Sequence, residues 1–113
     1  MTDQELVALL AREVCGFQAQ TLNQSKILVG KNIPGGRWED WNPLTWGPAL
    51  GELWEAAQGK GWIIRTWTGD MVEAAVYREG DEEDEPRTRV CLHADLPRAI
   101  CTALGEAITK GGG

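Results

Sequence analysis

The 113-residue sequence has no long hydrophobic run, and nothing in it approaches the roughly 18 consecutive apolar residues of a membrane-spanning helix. Its first residues, Met1–Glu5, are polar and acidic, the reverse of a secretory signal, so we expect a cytoplasmic protein without a membrane partner. Basic residues are also few: eleven stand against seventeen acids, a formal charge of −6. That balance argues against a broad basic surface that would bind nucleic acid by neutralising its phosphates.

Residues that carry catalysis or bind metals are equally scarce. The three cysteines form no Cys-x-x-Cys pair, and their odd number favours reduced, partly buried thiols over a disulfide framework. His93 is the single histidine and Ser25 the single serine, and neither lies in a nucleophile motif. Cys91, His93 and Cys101 lack the paired spacing of zinc ligands. We predict no enzymatic activity, no catalytic residues, no metal site and no cofactor.

Apolar residues at helical spacing predict three helices. Thr2 and Glu5 form a capping box before the first helix, and Asp95 is a good N-cap for the last. The second helix has a proline in its first turn, where a missing N–H costs nothing. The predicted helices begin near residue 3, between Trp46 and Pro48, and after Asp95, and they end near residue 15, at Gly59–Gly61 and near residue 109.

From Trp62 the hydrophobic period changes to two, which predicts an antiparallel meander with strands at 62–67, 71–78 and 88–93. A weaker strand signal lies at Lys26–Val29. Together these elements predict an α+β fold, a small antiparallel sheet with helices packed on both faces, which is an α-β-α sandwich. We expect a single domain over residues 1–109 and a flexible Gly-rich tail at 110–113.

The acidic, capped N-terminal helix and three short segments together resemble the phage ABA-sandwich family, small phage and prophage proteins with helices on both sides of a β-sheet. The segments are Trp41–Thr45 (Trp-Asn-Pro-Leu-Thr), Gly61-Trp62 at the start of a strand, and Ala94–Cys101 (Ala-Asp-Leu-Pro-Arg-Ala-Ile-Cys) at the start of the last helix. The family pattern usually runs Trp-Asn-Pro-Ser-Thr-Asp, and this chain has Leu44 and Trp46 instead of Ser and Asp. The resemblance implies the sandwich fold and a phage origin, hence the cytoplasm of a bacterial host, and no established reaction.

Tryptophan is abundant, with six of the eight aromatic residues, and three tryptophans fall within Arg37–Trp46. A Trp-lined loop beside a helix N-terminus can stack a planar ring and offer backbone N–H groups to an anion, while an arginine contacts phosphate. The indoles can also form a hydrophobic cluster at the end of the sheet, or a protein interface. The candidate ligand-binding residues are Arg37, Trp38, Trp41, Asn42, Thr45, Trp46, Arg65 and Trp67.

Two functions follow from these patterns. The first is a non-enzymatic, phage-type protein that binds and sequesters a small nucleotide-like ligand, with a counter-defence role. The second is a protein-interaction module that inhibits a host protein through its Trp-rich loop or through residues 79–85, which hold six acids and leave the rest of the chain formally neutral. We predict the first. We also expect a homo-oligomer, because large exposed apolar patches are uncommon on monomers.

Overall fold

The computed structural model describes residues 2–22, 26–30, 38–78, 80, 88–92 and 95–111. These residues form an α+β fold of three helices and six strands, which confirms the α+β part of the prediction. In chain order the elements are α1 (Asp3–Glu13), β1 (Gln18–Leu22), β2 (Lys26–Gly30), β3 (Trp38–Asp40), α2 (Pro48–Gly59), β4 (Trp62–Trp67), β5 (Val72–Arg78), β6 (Thr88–Leu92) and α3 (Leu96–Gly111).

The helices begin at the residues that the sequence indicates. The Thr2 hydroxyl accepts a hydrogen bond from the Glu5 amide at 3.2 Å, so the first half of the predicted capping box is present. Asp95 caps α3 in the same way, since its Oδ1 accepts from the Arg98 amide at 3.1 Å. Pro48 is the first residue of α2, after a Gly47 N-cap that makes no side-chain bond. Capping side chains therefore mark the starts of α1 and α3, and a proline marks the start of α2.

The helix ends differ slightly from the prediction. Helix α1 stops at Glu13, two residues early, and Gly16 then adopts a φ of 72° that favours glycine. Helix α2 ends as predicted, where Gly61 at φ 87° turns the chain into β4. Helix α3 continues to Gly111, two residues beyond its predicted end.

The strands form two three-stranded antiparallel sheets, where the sequence predicted one. The order β4-β5-β6 is the predicted meander, with Trp62 opposite Arg78 and Val76 opposite Thr88. The order β1-β2-β3 is the additional sheet, and of its strands only β2 was predicted. Strand β1 contains two glutamines and β3 has three residues, all of them exposed. Neither offers the alternating apolar pattern from which strands are inferred.

One hydrophobic core joins these elements. Helix α1 packs against β1, β2 and α3, α3 packs against all three strands of the second sheet, and α2 packs against β4. Strand β4 alternates: Trp62 and Ile64 are buried, whereas Ile63, Arg65 and Trp67 are exposed. As predicted, Trp62 and Trp67 lie on opposite faces, and the described residues leave one face of β4 open to solvent.

Helices α1 and α3 approach closely at a glycine. A Cβ on Gly105 would overlap Leu6 Cδ1, and both residues are buried. Gly51 in α2, by contrast, is exposed and has no neighbour within 4 Å of the position of a Cβ. The same substitution should therefore have different effects on stability at the two glycines.

We expect Gly51→Ala to raise the free energy of unfolding by roughly 0.5–1 kcal/mol, since alanine is the better helix former. Gly105→Ala has the same propensity gain but must displace Leu6, so we expect it to be less stable than Gly51→Ala by about 1–3 kcal/mol. Urea unfolding of the two variants measures the difference. Equal effects of the two substitutions would contradict the close contact between α1 and α3.

Candidate functional site

The N-termini of α1, α2 and α3 surround one cleft of about 830 Å³. This volume is within the range of roughly 300–1,000 Å³ that is typical of small-molecule sites. The remaining wall comes from β2, β3 and the segment Trp41–Gly47, which connects β3 to α2. The walls of the cleft thus come from three helix N-termini, two strands and one connecting segment.

The segment Trp41–Gly47 is held by its own hydrogen bonds. The Trp41 amide donates to the Ile27 carbonyl at 3.1 Å and so extends the pairing of β2 with β3. Asn42 Oδ1 accepts from the Leu44 amide at 3.0 Å, which is an Asx turn. The Thr45 hydroxyl donates to the Asn42 carbonyl at 3.4 Å. These bonds give the segment a defined conformation at the mouth of the cleft.

A buried thiol ties this segment to α3. Cys101 Sγ donates to the Pro43 carbonyl at 3.3 Å, and both residues are among the most completely buried of the protein. Burial raises the pKa of the Cys101 thiol to about 12, and the neighbouring Asp95 carboxylate adds to the increase while Arg98 opposes it. Cys101 is therefore a structural thiol and not a nucleophile. The bond also joins two of the segments that resemble the phage family.

Arg98 connects the starts of α1 and α3. Its guanidinium makes two hydrogen bonds with the Asp3 carboxylate, at 2.7 and 2.9 Å, and its Nε lies 3.4 Å from Asp95 Oδ2. The hydrogen bonds from Arg98 hold the pKa of Asp3 below its usual value, against a small opposing effect of burial. Because these side chains are well exposed, the pairs contribute little stability. Their effect is to orient the carboxylates at the rim of the cleft.

The cleft is strongly acidic. Among the described residues that line it, Arg98 is the one basic side chain. The carboxylates that line it are Asp3, Glu39, Asp40, Glu52 and Asp95. Carboxylates therefore outnumber basic side chains in the described lining of the cleft.

Two tryptophans give the cleft its aromatic character, and they differ in exposure. Trp41 is 2% exposed and packs edge to face against Phe17, with ring centroids 6.0 Å apart. Its Nε1 is buried and has no hydrogen-bond acceptor within the described residues. An unpaired buried donor costs about 1–3 kcal/mol, and such groups usually meet water or a ligand. Trp46 is 72% exposed, which leaves its ring available for stacking.

The structure divides the predicted site residues into groups. Four of them line the cleft: Trp41, Asn42, Thr45 and Trp46. Arg65 and Trp67 do not line it and lie instead on the exposed face of β4, where Arg65 is 5.8 Å from the centroid of the Tyr77 ring. Trp38 is half-exposed and its ring covers Gly30. Arg37 lies outside the described residues.

Several residues of the cleft were not among the predicted candidates. The sequence marks Asp3 and Asp95 as residues that start helices, and it gives no sign that these helix starts lie side by side. Arg98 and Asp40 carry no local signal at all. Helix N-termini come together only through tertiary packing. A capping motif in the sequence therefore does not tell which helix starts share a site.

The described residues contain neither a metal-binding cluster nor a membrane-spanning helix. Among the described residues, no three or more His, Cys, Asp and Glu side chains come close enough to hold a metal ion. His93, the single histidine, lies outside the described part of the chain. No described helix combines the length and apolar character needed to cross a membrane.

The buried thiol gives a direct test of the contact with Pro43. We expect iodoacetamide to modify Cys15, which is partly exposed, much faster than Cys101 in the native protein, because alkylation needs an accessible thiolate. Peptide mass spectrometry after timed labelling measures both rates, and labelling in denaturant provides the control in which they converge. Native Cys101 labelled as fast as Cys15 would show that Pro43 does not cover it.

Comparison with known proteins adds no relative to this description. The chain matches no family model, no curated protein and no solved structure. The likeness to phage ABA-sandwich proteins thus depends on the residues of the three short segments and stays a prediction.

Proposed function

We propose that this protein is a non-enzymatic binding protein that holds a small, planar, nucleotide-like ligand in the cleft. The observation that carries the proposal is an exposed ring, Trp46, on the lining of a cleft of small-molecule size, which Asn42 and Thr45 also line. In this proposal a planar ring stacks on the exposed indole of Trp46. Asn42 and Thr45 then contact the edge of the ring.

The absence of catalysis is part of the proposal. A nucleophilic mechanism needs an activated nucleophile within hydrogen-bond distance of a base. The Cys101 thiol lies beside the cleft but is buried, with a pKa raised to about 12, and is bonded to the Pro43 carbonyl. Carboxylates are present, yet two of them, Asp3 and Asp95, are engaged with Arg98. These features favour binding over chemistry.

The biological role that we propose is sequestration of the ligand in the cytoplasm of a bacterial host, as a phage counter-defence protein. Its support is the likeness of Trp41–Thr45 and Ala94–Cys101 to phage ABA-sandwich proteins. These segments meet at the bond between Cys101 and Pro43, and residues of both segments line the proposed site, among them Trp41, Asn42 and Arg98.

The second candidate function is a protein-interaction module. It is favoured by the exposed face of β4, where Ile63 and Trp67 are 43% and 45% exposed. An α-β-α sandwich requires a further layer on that face, and a homo-oligomer would bury it. The homo-oligomer expected from the sequence is compatible with both functions. In the alternative, a host protein docks on this face of β4 and covers Trp67, a surface other than the Trp-rich loop and residues 79–85 that the sequence indicated.

Two matched tryptophan variants separate these functions. We expect Trp46→Ala to weaken the binding of adenosine or guanosine about tenfold or more, measured by isothermal titration calorimetry, since stacking contributes about 1–3 kcal/mol per base. Trp67→Ala removes an indole that is also exposed, at 45% against 72% for Trp46, but lies outside the cleft, and it should leave nucleoside affinity unchanged.

The contrary outcomes are as informative. If no nucleoside binds, the proposed function is wrong. If Trp67→Ala lowers the molecular mass in light scattering while Trp46→Ala has no effect on any ligand, the interaction surface on β4 is the functional one.

A further inference from the structure

Strand β3 forms part of the cleft although its own side chains bury little. It comprises three residues, Trp38–Asp40, and all three are exposed, so the strand adds no fully buried residue to the core. It lies at the edge of the described sheet and pairs there with β2. The cleft depends on this strand, because Glu39 and Asp40 line it and the segment Trp41–Gly47 continues directly from the strand.

Trp38 supplies a side-chain contact that holds β3 to β2. In the antiparallel register it lies directly opposite Gly30. Because Gly30 has no side chain, the indole can approach the backbone of β2, and three of its ring carbons lie 3.4–3.5 Å from the position that a Cβ would occupy. Cross-strand contacts stabilise a sheet, and an aromatic ring over a glycine compensates for the side chain that glycine lacks. The ring is 48% exposed, so its remaining surface is covered.

Three contacts thus hold the chain that leads from β3 into the cleft. The first is the indole of Trp38 on β2, and the second is the hydrogen bond from the Trp41 amide to the Ile27 carbonyl. The third is the bond that the Pro43 carbonyl accepts from the buried thiol of α3. The residues between the first and the third contact, Glu39–Asn42, all line the cleft. Their position therefore depends on both ends of this stretch.

We infer that Trp38 is a positioning residue for the proposed ligand site and that it acts through β3, without touching the ligand. The inference rests on the proposed function, because it concerns the same cleft. Trp38 is absent from the described lining of the cleft, although the sequence suggested it as a stacking residue. By keeping β3 on β2, it holds Glu39–Asn42 in the arrangement that binds, so that ligand binding does not have to order this wall.

NMR of the free protein tests the positioning role without any ligand. An indole over Gly30 shifts the Gly30 Hα signals by its ring current, and Trp38→Ala should remove that shift. The same variant should also move the backbone amide signals of Glu39–Asn42, because β3 loses a contact with β2. Trp67→Ala removes an indole of similar exposure, 45% against 48%, from the other sheet and should leave these signals in place.

Calorimetry with adenosine tests the effect on the site. We expect Trp38→Ala to bind adenosine about two- to fivefold more weakly, which corresponds to the loss of one cross-strand contact. Trp38→Phe keeps an aromatic ring opposite Gly30 and should restore most of the affinity. Titrations at a temperature where every variant is fully folded exclude a general loss of stability as the cause. Adenosine added to the unchanged protein should shift the indole N–H signal of Trp46 and leave that of Trp38 in place.

The contrary outcomes distinguish this inference from the proposed function. If adenosine binds and Trp38→Ala leaves its affinity unchanged, the positioning role is wrong and ligand binding in the cleft stands. If adenosine shifts the Trp38 indole signal as much as that of Trp46, Trp38 touches the ligand and the inference is also wrong. If no nucleoside binds, the proposed function is wrong, and the amide signals of Glu39–Asn42 in Trp38→Ala then decide whether Trp38 positions this wall.

Discussion

The contact between Cys101 and Pro43 determines where the segment between β3 and α2 can lie. Pro43 offers its carbonyl to a thiol that is completely buried in α3, so the middle of the segment is part of the core. On either side of it, Trp41 enters the core and Trp46 is left in solvent. This buried contact anchors the middle of the segment, between one buried and one exposed indole.

The same packing explains the charge of the site. Aspartate is favoured at helix N-termini because it pairs with unsatisfied N–H groups and with the positive end of the dipole. Asp3 and Asp95 occupy such positions, and the packing of α1 against α3 brings them to opposite ends of one guanidinium, that of Arg98. Acidic residues that are favourable at the start of their own helices therefore form, in the folded protein, the acidic rim of a shared cleft.

Local signals predicted much of this fold. Thr2 and Asp95 marked two helix starts, and the period-two pattern from Trp62 gave the meander and the opposite faces of Trp62 and Trp67. The sheet formed by β1, β2 and β3 was largely missed, because β1 is polar and β3 is short. Of the predicted site residues, those near Trp41 share the cleft, whereas Trp67 does not, since only tertiary packing decides which surfaces meet.

The difference in solvent accessibility between the Trp41 and Trp46 indoles tests most directly whether the segment between β3 and α2 is fixed to the core. Hydrogen exchange of the six indole N–H groups, followed by NMR of protein with ¹⁵N-labelled tryptophan, reports each depth separately. We expect the Trp41 indole to exchange only as fast as the protein unfolds globally, and the Trp46 indole to exchange within the dead time. Rapid exchange at both positions would contradict a segment fixed to α3 through Pro43.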